Sequence, residues 1–274
     1  MNLLSRTASI ASGILGRQSD VVRRLRPSYE WLLDVASGGR GIEWAVNDVI
    51  VRIDPRTRRL VSSVAEPELW DWLRRRVTPG EQVLDVGSFL GIYAVVLARW
   101  TGGAGRILAC EPTPGTLRTL RRHLAINGVA DRVKVVPVAL GDAHGEVELH
   151  EHSDPYLNSV GATDPRGVGT KTSRVRLTTI DDVCREERFE PSILRMDVQG
   201  FERAALSGAR ETIFRGRGRL RMVIEVHPQL WPLQGFDATD FDRTLGDLGL
   251  RARTLGGKRV TTYEPDGHVE LEYI

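Results

Sequence analysis

The sequence predicts a doubly wound α/β domain with a helical and hairpin extension at its N-terminus, and three observations carry that prediction. From Gln82 onward, short apolar runs rich in Val, Ile and Leu alternate with helix-like segments, the pattern of a parallel sheet covered by helices on both faces. A glycine-bearing turn joins the first apolar run directly to the first helix. Upstream of residue 80 the pattern differs, a helix followed by strictly alternating strand residues. A chain of 274 residues suits one large α/β domain plus an appendage, divided here as 1–80 and 81–274.

Composition excludes more than it assigns. Hydrophobic residues make up 41% and charged residues 27%, ordinary for a chain that buries a core, and a net charge of +2 gives no polyanion-binding field. The only lysines are Lys134, Lys171 and Lys258, and the arginine excess is what a GC-rich coding bias produces. Cys110 and Cys184 have neither a CxxC spacing nor a nearby partner, against a disulfide framework or a cysteine zinc site. The opening MNLLSRTASIASGIL is too polar for a signal core and too short to span a bilayer. A cytoplasmic protein without stable membrane insertion is expected.

In chain order, Val21 to Leu33 reads as a helix ended by Gly38, Gly39 and Gly41. It either packs on the main domain or on a second copy, making a homo-oligomer through this segment, or lies on a membrane surface as a basic amphipathic helix. Ile42, Trp44 and Val46, then Val49, Val51 and Ile53, alternate around Asn47-Asp48 as a hairpin. Glu68 to Val77 reads as a helix, stopped by Thr78-Pro79-Gly80. Strands follow at 83–87, 106–111, 132–138, 192–197 and 219–226, with helices at 91–100, 114–126, 201–213 and 238–248. Segments 145–150 and 173–178 form an inserted hairpin around a long polar loop, 152–172, and 250–273 holds two further strands.

The most informative segment is Val83-Leu84-Asp85-Val86-Gly87-Ser88-Phe89-Leu90-Gly91-Ile92-Tyr93. In doubly wound sheets ligands bind beyond the carboxyl ends of the strands, where this turn falls. Gly87 would turn the chain tightly and approach a ligand; Gly91 would open the helix and seat it against the strand. Dinucleotide sites use G-x-G-x-x-G to bring backbone N–H groups onto a pyrophosphate. The pattern here is D-x-G-x-x-x-G, with no central glycine and with Asp85, which would repel phosphate but can hold an ammonium group. S-adenosylmethionine offers an α-amino group, a sulfonium and no phosphate. Twenty residues after Gly91, Arg106 to Glu111 is an apolar strand ending in an acid that can accept from both ribose hydroxyls. The third strand is read to end at Val138-Ala139-Leu140-Gly141-Asp142, whose backbone would line an adenine pocket. Asp142 either accepts from the exocyclic amine or is a plain turn residue. The expected cofactor-binding set is therefore Asp85, Gly87, Ser88, Gly91, Glu111, Leu140 and Asp142.

The order VLDVGSFLGIY, ACEPTPGTLRTLRRHLAING, VALGD, LTTIDDV, ILRMDVQGFERAALSGA and VIEVHPQLW resembles the FkbM family of methyltransferases, from about Gln82 to Trp231. The resemblance implies a class I methyltransferase fold, Rossmann-like, with seven strands of which the last is antiparallel. It implies S-adenosylmethionine as methyl donor, held at Asp85, Gly87, Gly91 and Glu111. It implies O-methylation of a hydroxyl on a sugar, glycan or polyketide-type natural product, with Asp197 and His227 at the reacting end. One departure stands out: the family commonly reads Asp-Val-Glu-Gly where this chain has Gln199.

At that end Asp197 closes the fourth strand, and Glu225 and His227 close the fifth on one face, if the strand stays extended. These three are the candidate catalytic residues. His227 is the candidate base because its ordinary pKa lies near neutrality, against a purely structural, hydrogen-bonded histidine. Asp197 would orient His227, contact the methionine end of the donor, or ligate a cation. Asp197 and Glu225 offer oxygens enough for magnesium, but hydroxyl methylation does not require an ion, and none is expected. Glu202 is read as serving helix N-terminal N–H groups. Tyr156, Asn158 and Gln229 to Pro232 would border the cleft, Trp231 serving either a sugar ring or packing.

Three other readings compete. A nucleic-acid (RNA) methyltransferase acting on base nitrogens would carry Asn/Asp-Pro-Pro-aromatic where Asp197-Val198-Gln199-Gly200 stands, and no nucleic-acid partner is expected. A nicotinamide oxidoreductase would need the missing central glycine. A non-catalytic scaffold is opposed by intact Asp85, Gly87 and Glu111.

Overall fold

The computed structural model describes residues 20–161, 165–167 and 171–274; the first 19 residues of the predicted extension, and parts of the predicted long loop, lie outside them. The chain forms two compact units, parting between Ser63 and Val64.

The smaller unit holds helix α1 (Asp20–Ala36) and the antiparallel hairpin β1 (Ile42–Val46) and β2 (Val49–Ile53). Asn47 takes the left-handed conformation the tight turn needs. Val46, Val51 and Ile53 are buried, and the Trp44 indole N–H donates to the Val61 carbonyl.

The larger unit begins before residue 81, because helix α2 (Pro67–Arg76) packs within it. Trp70 of α2 sits edge-on to Trp100, and Leu69, Trp72 and Leu73 are buried. Its main sheet comprises β3 (Gln82–Val86), β4 (Arg106–Cys110), β5 (Val133–Val136), β10 (Ile193–Met196), β11 (Arg221–Val226), β12 (Leu250–Thr254) and β13 (Gly267–Tyr273). Their order is β12-β13-β11-β10-β3-β4-β5. β13 slots between β11 and β12 and runs antiparallel to both, while β3, β4, β5, β10 and β11 run parallel. This is the seven-stranded arrangement the resemblance implies, with its last strand antiparallel.

Helices α3 (Ile92–Trp100), α4 (Pro114–Ile126), α5 (Ile180–Glu186), α6 (Glu202–Ser207), α7 (Arg210–Arg215) and α8 (Ala238–Asp247) accompany the sheet. Leu84, Val86, Leu194, Met196 and Ile224 enter a core with Ile180, Leu206, Ile213, Phe241 and Leu245 from the helices. Alternate strand residues such as Val83, Ile193 and Val223 are also buried, as expected for strands covered on both faces. The predicted helix 201–213 is two helices, because a new cap interrupts it: the Asp181 carboxylate accepts from the Glu211 and Thr212 N–H groups.

The third strand is shorter than the predicted 132–138. Pro137 cannot donate to a ladder, and Val138 N–H turns back to the Val136 carbonyl. Ala139–Leu140 instead form β6 of a second sheet, ordered β6-β9-β7-β8, with β7 (Gly145–Glu151), β8 (Ser159–Val160) and β9 (Lys171–Thr178). The predicted inserted hairpin is the β7–β9 pair of that sheet.

Candidate functional site

Beyond β3 the chain turns through Gly87, Ser88 and Phe89 into α3. Gly87 and Phe89 are both left-handed, with φ of 77° and 49°. The Gly87 and Ser88 N–H groups donate to the Cys110 carbonyl at 2.9 and 3.0 Å. Phe89 N–H donates to Glu111 Oε2 at 3.0 Å, and Gly91 N–H to the Ser88 carbonyl at 2.8 Å. A phosphate cradle needs such N–H groups free to converge on an anion. Here all four are engaged within the protein.

Gly87 turns the chain and Gly91 opens α3 as the sequence implied, and each also makes a close approach within the protein. A Cβ on Gly87 would stand 1.7 Å from the Asp197 carbonyl oxygen, so the turn makes a close approach to the chain just beyond β10. A Cβ on Gly91 would meet Leu120 of α4 at 2.9 Å, so Gly91 fits α3 against a neighbouring helix rather than against the strand.

Glu111 follows β4 and is 5% exposed. Its Oε1 accepts from Thr113 N–H at 2.8 Å and its Oε2 from Phe89. Burial raises its pKa to about 7, outweighing the two N–H donors that favour the charged form. Asp85 is fully buried, and burial raises its pKa against the pull of Arg195. The two residues are cross-strand neighbours in β3 and β10, and Arg195 Nη1 lies 3.3 Å from Asp85 Oδ1. Asp85 Oδ2 has no hydrogen-bond partner among the described residues. Ser88 is buried, its hydroxyl donating to the Asp85 carbonyl at 2.9 Å. Leu140 is buried in β6, while Asp142 is exposed just beyond it. Leu140 thus belongs to the second sheet and Asp142 to the bend that follows it, not to the tip of β5.

At the tips of β10 and β11 Asp197, Glu225 and His227 converge. His227 is 1% exposed. Its Nε2 lies 3.9 Å from Asp197 Oδ1 and 3.8 Å from Glu225 Oε1, beyond hydrogen-bond range of either. Asp266, just before β13, brings Oδ1 to 3.7 Å from the same nitrogen. Register places His268 of β13 opposite Glu225, with Nε2 at 3.7 Å from Glu225 Oε2 and 3.6 Å from Glu66 Oε2. Glu66 in turn accepts from the Tyr93 hydroxyl at 2.7 Å. Burial, reinforced by Asp197 and Glu66, pushes the Glu225 pKa up. His227 is pulled down by burial, but Glu202 and the surrounding carboxylates outweigh it and raise its pKa.

Sequence reasoning missed two residues that organise this end. Arg195 is a single cation in an apolar strand, and it bonds Asp85, the Gly87 carbonyl (2.9 Å) and Asp197 Oδ2 (3.2 Å). Its guanidinium also lies 4.8 Å from the Tyr93 ring centre. The arginine inside ILRMD, beside a strand carrying Asp85, was the available signal. Glu202 is the second. It does accept Gly200 N–H ahead of α6, as a terminal carboxylate would. Its main partners, however, are His227 Nδ1 at 2.6 Å and the Trp231 indole N–H at 2.9 Å. Gln199 donates to Asp197 Oδ1 at 3.0 Å. Trp231 is a core residue stacked on Phe236 and Phe241, so of its two readings packing is the observed one. Tyr156 instead contacts the Phe89 ring at 4.8 Å, beside the glycine turn.

The profile of the Methyltransferase FkbM domain matches residues 85–253, more than half of the chain. A ribosomal protein L11 methyltransferase of Chloroflexus aurantiacus is 35% identical over 104 residues, covering 35% of this chain and 29% of that protein. An arginine N(omega)-methyltransferase of Streptomyces achromogenes is 36% identical over 64 residues, 23% of this chain and 17% of the relative. The match thus spans less than a third of the length of these curated relatives. Among solved structures, a methyltransferase FkbM from Methylobacillus flagellatus aligns with a TM-score of 0.46 and 20% identity, over 73% of this chain and 44% of that one.

Proposed function

Because this chain belongs to the FkbM methyltransferase family, we propose that it transfers a methyl group from S-adenosylmethionine to a hydroxyl of a sugar, glycan or polyketide-type acceptor. One observation carries the reading: the strand-tip turn keeps its N–H groups for itself and offers carboxylates instead. A phosphate-bearing cofactor finds no anion cradle there. A nucleoside carrying an ammonium and a sulfonium finds Glu111 for its ribose hydroxyls and the unpartnered Asp85 Oδ2 for its amino group, directly or through water. That orphaned buried oxygen is what makes the donor fit.

The donor, when bound, supplies an electrophilic methyl on a positively charged sulfur. The protein's part is alignment and proton handling. Holding an acceptor oxygen in line can contribute about 7–11 kcal/mol. Asp197, Glu225 and His227 are the residues proposed to receive that oxygen and its proton, which would contribute typically about 10²–10⁴-fold. Glu202 fixes the His227 ring by accepting from Nδ1, which leaves Nε2 facing the carboxylates. Arg195 bonds both Asp85 and Asp197, placing one guanidinium between the two side chains.

A second reading follows from the same acidic surround. Glu66, Asp197, Glu225 and Asp266 would also welcome a cationic nitrogen acceptor. Calorimetry with S-adenosylhomocysteine tests the donor site, and binding heat is expected. Mass spectrometry after incubation with hydroxylated metabolites and with amine or guanidine acceptors then separates the two. Methylation confined to nitrogen would replace the hydroxyl reading, and absence of donor binding would defeat both.

A further inference from the structure

We propose that His227 Nε2, Asp197 and Glu225 form a binding site for a divalent cation of the Mn2+ type, with His227 a ligand rather than a free base. Two neighbouring strands bring these atoms together: Asp197 just beyond β10, and Glu225 and His227 at and just beyond the end of β11. One donor atom from each residue lies within 4.8 Å of the others. Ions of this class hold ligands at roughly 2.0–2.2 Å, which sets neighbouring ligand atoms about 3–4 Å apart. The separations of 3.8 and 3.9 Å from Nε2 fall in that span.

Acidic residues near one another would not by themselves define a site. The second observation is His227. Its ring is almost completely buried, and Nε2 has no hydrogen-bond partner among the described residues although three carboxylates face it. A buried imidazole nitrogen aimed at carboxylates, yet just too far to bond any of them, is placed for something between them. The other nitrogen is tied to Glu202 at 2.6 Å, the carboxylate–histidine pairing that orients metal-bound imidazoles. Glu202 is itself locked by Trp231 and Gly200. Asp197 is held in the same manner, by Gln199 on Oδ1 and Arg195 on Oδ2. Among the described residues Glu225 shows no comparably short contact, and His227 and His268 face it at 3.8 and 3.7 Å. Two ligands are pre-oriented and the third is free to close on an ion. One imidazole with two carboxylates suits first-row divalent ions, and Asp266, 3.7 Å from Nε2, stands by as a further oxygen. On the methyl-transfer reading, an ion there would bind the acceptor oxygen and ease its loss of a proton.

The test is Mn2+ binding to the full chain, followed by the electron paramagnetic resonance of the free ion, with no turnover required. One ion per chain is expected, displaced by chelator. Glu225→Gln and His227→Gln should each weaken binding at least tenfold, and Glu202→Gln, acting through the ring it orients, about tenfold. The exposed Glu190→Gln should change nothing. Should His227→Gln fail to fold by circular dichroism, Glu225→Gln decides, since it preserves size. No binding at millimolar Mn2+, or binding indifferent to Glu225→Gln, overturns the assignment. So does occupation by an organic ammonium where Mn2+ is refused. Calorimetry with S-adenosylhomocysteine on the same sample keeps the two ideas apart. Donor binding without Mn2+ binding defeats the ion alone, and Mn2+ binding without donor binding defeats the methyl-transfer reading alone.

Discussion

The tips of β3 and β4 and the tips of β10 and β11 lie on one sheet and are both rich in acid, yet they are finished differently. At the first pair nearly every polar group has a partner: four turn N–H groups are bonded, and both Glu111 oxygens accept from backbone. At the second pair, His227 Nε2 stands 3.7–3.9 Å from Asp197, Glu225 and Asp266, and His268 Nε2 stands 3.6–3.7 Å from Glu66 and Glu225, too far to bond. The first is a closed, internally bonded turn, the floor on which the proposed donor would lie. The second leaves His227 Nε2 and His268 Nε2 without a hydrogen-bond partner among the described residues, the space the proposed ion would use. A site that must grip a donor firmly and yet manage a proton has reason to keep these two characters apart.

The largest effect should come from breaking the seam between them. Gly87→Ala adds a left-handed Cβ 1.7 Å from the Asp197 carbonyl. It should cost about 3 kcal/mol or more in stability, seen as a lower thermal midpoint, and should lose donor binding as well. A fully stable variant would show that the two ends are not locked through this contact.

Next comes the reacting end alone. His227→Gln should cut turnover by about 10²-fold or more while S-adenosylhomocysteine affinity stays within a few-fold, which steady-state kinetics and calorimetry together resolve. Equal losses of both would mean the two regions are not functionally separate. At the donor end, Asp85→Asn or Glu111→Gln should each weaken donor binding about tenfold, or roughly 1.4 kcal/mol. Unchanged affinity would move the pocket elsewhere.

A smaller effect sharpens the contrast through pH. Donor-free Glu111 has its pKa raised to about 7 by burial. Ribose hydroxyls donating to it favour the ionised form, so donor affinity should climb as pH rises towards 7 and level off above it. Glu111→Gln should flatten that rise, and a slope that survives the substitution would implicate another group. Least of all, Gln199→Glu replaces the donor to Asp197 with a like charge. A loss of about 1 kcal/mol is expected in chemical denaturation.

The contrast also explains what could be read from sequence. The donor end is local: Asp85, Gly87 and Gly91 fall within seven residues, and Glu111 follows at a fixed strand spacing. Pattern alone therefore singled these out as donor-site candidates and read the parallel strands and the inserted hairpin, while family likeness implied the antiparallel last strand. The pattern's errors came from one local feature, Pro137 ending β5 early, and from long-range contacts, Leu120 receiving α3 and Asp181 capping a helix thirty residues onward. The reacting end is assembled from Glu66, Arg195, Glu202, Asp266 and His268 as well as the predicted Asp197, Glu225 and His227. Only folding places residues 66 and 268 beside 225, and no spacing rule announces that. Arg195 was the legible exception, a lone guanidinium in a strand otherwise apolar.

That guanidinium has one more consequence. Since a single side chain is shared between Asp85 and Asp197, whatever lodges at one carboxylate alters how much positive potential is left for the other. Occupancy of either end must then change affinity at the opposite end, and by thermodynamic reciprocity the factor is identical in both directions. On the proposed reading, donor and acceptor would sense one another through a shared cation, without any moving loop.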